Sequence, residues 1–258
     1  MKKYICIIIV LMIILVLLFC LGLCKSKTFA IELSKNSSLS TEIIEKIATI
    51  TKNEEKIAYL TFDDGPTTSV TPKILDILKA ENVKASFFVI GKYVDKHPEI
   101  VRREYEEGHY IANHGYDHDN SVLYKSNESF RSEVEKTDIA IGKAIGVDDY
   151  CSHIFRFPNG FMSPANKTRK KEVLKVLEKM QYTYVDWNCL NNDSVKKYSK
   201  QQLLNNLKKT AKNKGSLVVL MHDTKDVNDS STILKESIDY LKSEGYEFKN
   251  FYDLIDNN

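Results

Sequence analysis

Five groups of polar residues carry the chemical potential of this 258-residue chain, and each follows a run of apolar or β-branched residues. They are Asp63-Asp64-Gly65-Pro66, the pair His114 and His118, Arg156 with Asn159-Gly160, Asp186-Trp187, and His222-Asp223. Asp, Gly and Pro favour turns, so the first group is explained by a turn alone. Two adjacent carboxylates at a strand end nevertheless repel each other, and a cation relieves that repulsion. Two histidines four residues apart are either surface residues or, on a helical turn, side chains that point the same way and grip one metal ion. Asp64 with His114 and His118 supplies one oxygen and two nitrogens and leaves a coordination position for water. That is the donor set of a catalytic rather than a structural zinc site. Arg156 reads as the partner of a surface acid or, beside a strand-end carboxylate, as the group that keeps it ionised. Trp187, the single tryptophan, reads as core or as a sugar-stacking platform. His222 reads as a hydrogen-bonded core histidine or as a member of the same site, and His97, His109 and His153 read as structural.

The elements that must position these groups alternate in type. Strands are expected at Ile57–Phe62, Ala85–Ile90, Tyr110–Asn113, Ile154–Phe157, Tyr182–Asp186, Leu217–Met221 and Tyr246–Phe248. Between them, helices are expected at Thr71–Lys79, Pro98–Glu107, Glu128–Ile145, Lys167–Met180, Lys200–Lys212 and Ser231–Ser243. Pro72 opens the first of these helices and Gly108 closes the second. About seven strand–helix alternations imply parallel strands with crossover helices, either closed into a (β/α) barrel or open as a doubly wound sheet. No G-x-G-x-x-G follows the first strand, which weakens a dinucleotide-binding reading. In barrels the carboxyl ends of the strands build the active site, and all five polar groups fall there.

The remaining composition excludes several classes. Residues 1–24 contain 21 hydrophobic residues, so the 43% average joins two unlike parts. The formal charge of +2 comes from Lys2 and Lys3 alone, which excludes a basic nucleic-acid-binding surface. The abundance of Tyr and Phe excludes a disordered chain, and the lack of a second long apolar run excludes a multi-span membrane protein. Residues 5–24, about 30 Å long as a helix, match the hydrocarbon core of a bilayer and read as an uncleaved anchor. A cleaved signal peptide is the alternative. The easier insertion leaves the rest of the chain extracytoplasmic. The expected organisation is therefore an anchor at 1–24, a linker or stalk at 25–55 (with a short helical pattern at Thr41–Ile50) and one domain at 56–258. Cys151 and Cys189 would pair only if the fold brought their Cα atoms within about 7 Å.

The five groups, in order, resemble the motifs of the polysaccharide deacetylases, the fourth family of carbohydrate esterases. Thr61-Phe62-Asp63-Asp64-Gly65-Pro66 resembles their first motif and His114-Gly115-Tyr116-Asp117-His118 their second, His-Ser/Thr-x-x-His. Arg156-Phe157-Pro158-Asn159-Gly160 resembles the third, Asp186-Trp187 the fourth, and Leu220-Met221-His222 the fifth. The resemblance covers about Lys56 to Asp256 and is closest to membrane-anchored cell-wall enzymes of Gram-positive bacteria. It implies an irregular (β/α) barrel of about seven parallel strands. It also implies that Asp64, His114 and His118 bind a divalent metal, usually zinc. Asp63 would be the general base, held ionised by Arg156, and His222 the general acid, oriented by Asp186. Leu220 and Trp187 would line the acetyl pocket, and a backbone N–H near Asn159 would join the oxyanion site. The implied substrate is N-acetylglucosamine of peptidoglycan; N-acetylmuramic acid, another surface glycan, and a non-catalytic wall-binding module are the alternatives. Gly115 departs from the family's Ser or Thr, and Asn159 from its usual aromatic residue or Gly. The expectation is altered loop rigidity or substrate choice rather than a dead enzyme.

Overall fold

The computed structural model describes residues 38–255. Eight strands form one sheet: β1 (Ile57–Asp63), β2 (Ser86–Val89), β3 (Tyr110–Asn113), β4 (Ile154–Phe155), β5 (Thr183–Tyr184), β6 (Cys189–Leu190), β7 (Leu217–His222) and β8 (Glu247–Lys249). They pair in the order β5-β4-β3-β2-β1-β7-β6, with β8 beside β1. Every pairing is parallel. β1 is buried at all seven positions. This is why its sequence runs apolar instead of alternating: both faces of a central parallel strand are covered. β7 pairs with β1 from Ala58 to Asp63, while β2 and β8 share the other edge at 61–63 and 57–59. The sheet edges are β5 and β6, which are joined by only residues 185–188 and do not pair with each other among the described residues. The sheet is thus a curled half-barrel with an unzipped seam, in keeping with the expected irregular α/β barrel.

Among the described residues ten α-helices surround it: α1 (Thr41–Thr49), α2 (Thr71–Ala80), α3 (Gly91–Lys96), α4 (Pro98–Glu106), α5 (Asn120–Leu123), α6 (Asn127–Ile145), α7 (Lys167–Lys179), α8 (Lys200–Ala211), α9 (Ser231–Ser243) and α10 (Tyr252–Ile255). The ends follow local chemistry. Ser126 caps α6 by accepting from the Ser129 N–H, and Gly146 stops it at φ 74°. Ser199 and Gln202 form a capping box at α8.

The structure moves the expected start of the domain and adds one short strand. The segment read as a stalk up to residue 55 carries α1, whose Ile43, Ile47 and Ile50 join the main core, as does Leu39. Each such burial is worth about 1.5–3 kcal/mol, so the domain starts near Leu39 rather than at 56. One strand, β6, is additional to the seven expected. Cys151 and Cys189, whose pairing the sequence leaves open, are both buried and form no disulfide with each other. Residues 5–24, read as an anchor, lie outside the described residues; no described helix is long and apolar enough to cross a membrane.

Candidate active site

The site is built on the carboxyl ends of β1, β3 and β7. In register, Thr61 faces Leu220 and Asp63 faces His222. Residues two apart on a strand share a face, so Thr61, Asp63, Leu220 and His222 all belong to one side of the sheet. Asp64 leaves β1 in a left-handed conformation (φ 77°). Gly65 then passes so close to β7 that a Cβ there would lie 1.9 Å from Asp223 Oδ2. No other residue fits this approach. Asp223 holds the two strand ends together. Its N–H donates to the Asp63 carbonyl (3.1 Å) and its Oδ2 accepts from Thr71 Oγ1 (2.6 Å). Burial, reinforced by Asp64 and Asp63, raises the Asp223 carboxyl to about 7.

One ligand atom from each of Asp64, His114 and His118 falls within a 4.8 Å cluster. The Nε2 atoms of His114 and His118 lie 3.4 and 3.3 Å from Asp64 Oδ1. His114 Nδ1–H donates to the Arg156 carbonyl (2.8 Å), which leaves the Nε2 lone pair directed to the cluster. Asp64 Oδ1 is buried and has no hydrogen-bond donor, which is costly unless a cation occupies the space beside it. Burial pushes the Asp64 carboxyl up, but the imidazoles of His114, then His118 and His222, packed around it hold it well below the usual range. Burial and the neighbouring His114 push His118 down. An ionised carboxylate and imidazoles with free Nε2 atoms are the donors zinc takes, so these residues fit a divalent metal.

Asp63 is 3% exposed and accepts from Arg156 Nη1 at 2.8 Å. Arg156 is fully buried and every arm is used: Nη1 also reaches Thr61 Oγ1 (2.7 Å), Nε reaches the Val185 carbonyl (3.0 Å), and the guanidinium lies 3.9 Å from the Phe88 ring centre. A forked cation fixed at so many points fixes the carboxylate it holds.

On the other flank, His222 Nε2 lies 3.9 Å from Asp64 Oδ2. Its Nδ1–H donates to Asp193 Oδ1 (2.6 Å) and its backbone N–H to Asp193 Oδ2 (2.8 Å). Ser230 Oγ also donates to Asp193 Oδ2. Burial alone would lower the imidazole, but the Asp193 hydrogen bond and charge, aided by Asp64 and Asp63, raise it to about 9.

Asp193 therefore takes the part expected of Asp186. Asp186 accepts instead from the N–H groups of Phe161 (2.9 Å) and Met162 (3.2 Å), pinning the loop after Asn159. Asp193 lies in the polar run Asn191-Asn192-Asp193-Ser194, which looks like any turn. Its only signal was chemical, a carboxylate close in sequence to the fourth motif that a catalytic histidine would need. Asn159 is exposed and left-handed (φ 63°). Its N–H takes no protein acceptor among the described residues, whereas the Gly160 N–H closes the turn on the Phe157 carbonyl (2.7 Å). Trp187 packs so tightly on that turn that a Cβ at Gly160 would meet its ring at 2.7 Å. Leu220 is buried beneath. His109 and His153 are structural, as expected: His109 Nδ1 accepts the Ala85 N–H (3.1 Å) and His153 Nδ1–H donates to the Gln181 carbonyl (2.9 Å).

Residues 51–185 match the polysaccharide deacetylase family, and the chain belongs to it. It is 34% identical over 189 residues to the peptidoglycan-N-acetylglucosamine deacetylase PgdA of Listeria monocytogenes, covering 73% of this chain and 36% of that protein. The chain thus spans about a third of that relative's length. It is 30% identical over 204 residues to the peptidoglycan-N-acetylmuramic acid deacetylase PdaA of Bacillus subtilis, covering 76% of this chain and 70% of that protein. A carbohydrate esterase of the same fourth family from Streptococcus mutans superposes with a TM-score of 0.72 at 29% identity, over 83% of this chain and 92% of that one.

Proposed function

We propose that this protein is a metal-dependent hydrolase that removes N-acetyl groups from N-acetylglucosamine of peptidoglycan. The observation that carries the reading is the position of Asp64, whose one oxygen faces His114 and His118 while the other faces His222, with Asp63 alongside. Metal donors, a buried carboxylate base and a protonated imidazole converge on one point. Asp64, His114 and His118 would hold the ion, zinc in this reading, which when bound polarises the acetyl carbonyl and acidifies water.

The protein's own groups divide the rest of the work. Asp63, fixed by Arg156, accepts a proton from the attacking water. His222, kept protonated by Asp193, delivers a proton to the departing sugar nitrogen. The free N–H of Asn159 suits the developing oxyanion. Trp187 and Leu220 bound the space for the acetyl methyl. A cleft of about 520 Å³ runs from Asp64 and His118 past Thr67, Tyr93 and Lys96, which suits a polymer lying across the site rather than a monosaccharide. Residues 5–24, as an anchor, would hold the domain on the outer face of the membrane, within reach of peptidoglycan. No nucleic-acid partner is proposed, given the absence of a basic excess.

The test is acetate release by the zinc-loaded protein from peptidoglycan and from chitin oligomers, with the product sugars identified by mass spectrometry. Glucosamine is expected. Muramic-acid amine instead would move the reading to the other sugar, and no acetate from any N-acetylated glycan would overturn it. Protease accessibility of the domain in intact and permeabilised cells tests the outward orientation.

A further inference from the structure

The metal donors differ in how they are held. Asp64 and His114 stand at strand ends and are fixed by the sheet. His118 hangs at the end of the loop Gly115-Tyr116-Asp117, at φ 56°. Position 115 offers that loop no side-chain hydroxyl; Gly115 has φ 85°, with ordinary space where a Cβ would stand. The loop is held from two sides: at α3 the N–H groups of Gly91 and Lys92 donate to the carbonyls of Gly115 and Tyr116 (3.0 Å each) and Lys92 Nζ donates to that of Asp117, while the loop's own N–H groups are taken up on the side of α6. Glu133, 2% exposed, accepts the N–H of Tyr116 (3.0 Å) and of Asp117 (2.8 Å) on a single oxygen, Oε2. Asn113 Oδ1 accepts the Gly115 N–H (3.0 Å), and its amide in turn donates to the Val134 carbonyl (2.9 Å) and to Asp138 Oδ1 (3.0 Å). The two lines of support that take up the loop's N–H groups both end between residues 133 and 138, within about a turn and a half of one helix.

We propose that Glu133 is the positioning residue of the metal-binding loop, and that by taking up the N–H groups of Tyr116 and Asp117 its buried carboxylate raises the affinity of the site for its metal. This rests on the metal reading above. The physical argument is pre-organisation. A carboxylate that accepts two consecutive N–H groups out of water forms charge-assisted bonds about twice as strong as neutral ones, and it fixes the backbone from which His118 projects. Without it, ordering that loop must be supplied by metal binding itself. Glu133 does not touch the cluster, so this is an effect through the loop.

The test is the zinc dissociation constant of the full chain, measured by competition with a chelating dye, together with the visible spectrum of the cobalt-loaded protein. Glu133→Gln keeps the size and one acceptor oxygen but loses the charge; a loss of about tenfold is expected, with a weakened cobalt band. Glu133→Ala is expected to lose about 10–100-fold, the range for outer-sphere partners of metal ligands. Glu135→Ala, on the same helix with a side chain 45% exposed, serves as the control and is expected to match the wild type. Zinc affinity in Glu133→Gln within twofold of the wild type overturns the proposal, and this variant decides the matter if Glu133→Ala does not fold. A wild-type chain that binds no zinc overturns the metal reading and this proposal together, whereas wild-type binding with an indifferent Glu133 overturns this proposal alone.

Discussion

The two flanks of the active site are fastened by carboxylates that do different jobs. On the metal flank, Glu133 and Asp138 lie outside the donor cluster and hold backbone, directly or through Asn113. On the acid flank, Asp193 grips the imidazole of His222 itself. The first arrangement fixes a shape and the second fixes a proton. The difference predicts that damage on one flank alters metal affinity without moving the pH profile, and that damage on the other moves the pH profile without altering metal affinity.

The largest effect is expected from the donors. His114→Ala should abolish tight zinc binding and lower acetate release by about 10³-fold, since carbonyl polarisation by a metal is worth several kcal/mol. Chelation of the wild type should do the same and be reversed by zinc. His222→Ala should lower kcat by about 10²–10⁴-fold while zinc affinity stays within twofold, as dye competition would show. A parallel loss of metal would erase the distinction between the flanks.

Asp193→Asn should cost less, about 10²-fold in kcat, because the acid remains but is misplaced. Its signature is the pH profile. His222 must be protonated to act, so activity falls as pH rises through its raised value near 9. Removing the Asp193 charge lowers that value and moves the alkaline limb to lower pH. A bound cation lowers the limb in both proteins, so the shift between them is what counts. In the metal-free protein the same raised imidazole links stability to pH. The stabilisation is fully present below the ordinary value of 6.5 and is lost as pH rises through about 9, a dependence that thermal melts should find reduced in Asp193→Asn. The smallest effect belongs to Asp186→Asn, which weakens two hydrogen bonds to the loop at Phe161 and Met162. A rise in KM of about tenfold, with the alkaline limb unmoved, is expected. A moved limb would return Asp186 to the role the sequence suggested for it.

The comparison also explains which parts of the molecule were legible in the sequence. Strands β1, β3 and β7 and the long helices announced themselves through apolar runs and caps, because their formation depends on their own residues. The donors and the base sit in compact motifs at the ends of those strands, where spacing alone carries information. β6 is two residues long and exists because β7 lies beside it; Cys189-Leu190 has no strand signature of its own. Asp193 and Glu133 act across 29 residues to His222 and 17 residues to Tyr116. In the sequence one looks like part of a turn and the other like one of many helix-surface acids. Only the burial of each, 2% exposed, separates them from their neighbours. The helical pattern of α1 was legible, but its docking onto the core was not, for a similar reason. Its four-residue apolar stripe sits in a polar stretch and matters because the core accepts it.

The place where α1 joins the sheet has a further consequence. Lys46, Thr49 and Ile50 line a hollow with Ile57, at the start of β1, and Lys249 of the neighbouring β8, whereas the catalytic groups stand at the far end of β1. Seven residues of strand separate the two by about 20 Å. The described residues therefore begin at one pole of the domain, and the candidate catalytic groups stand at the other.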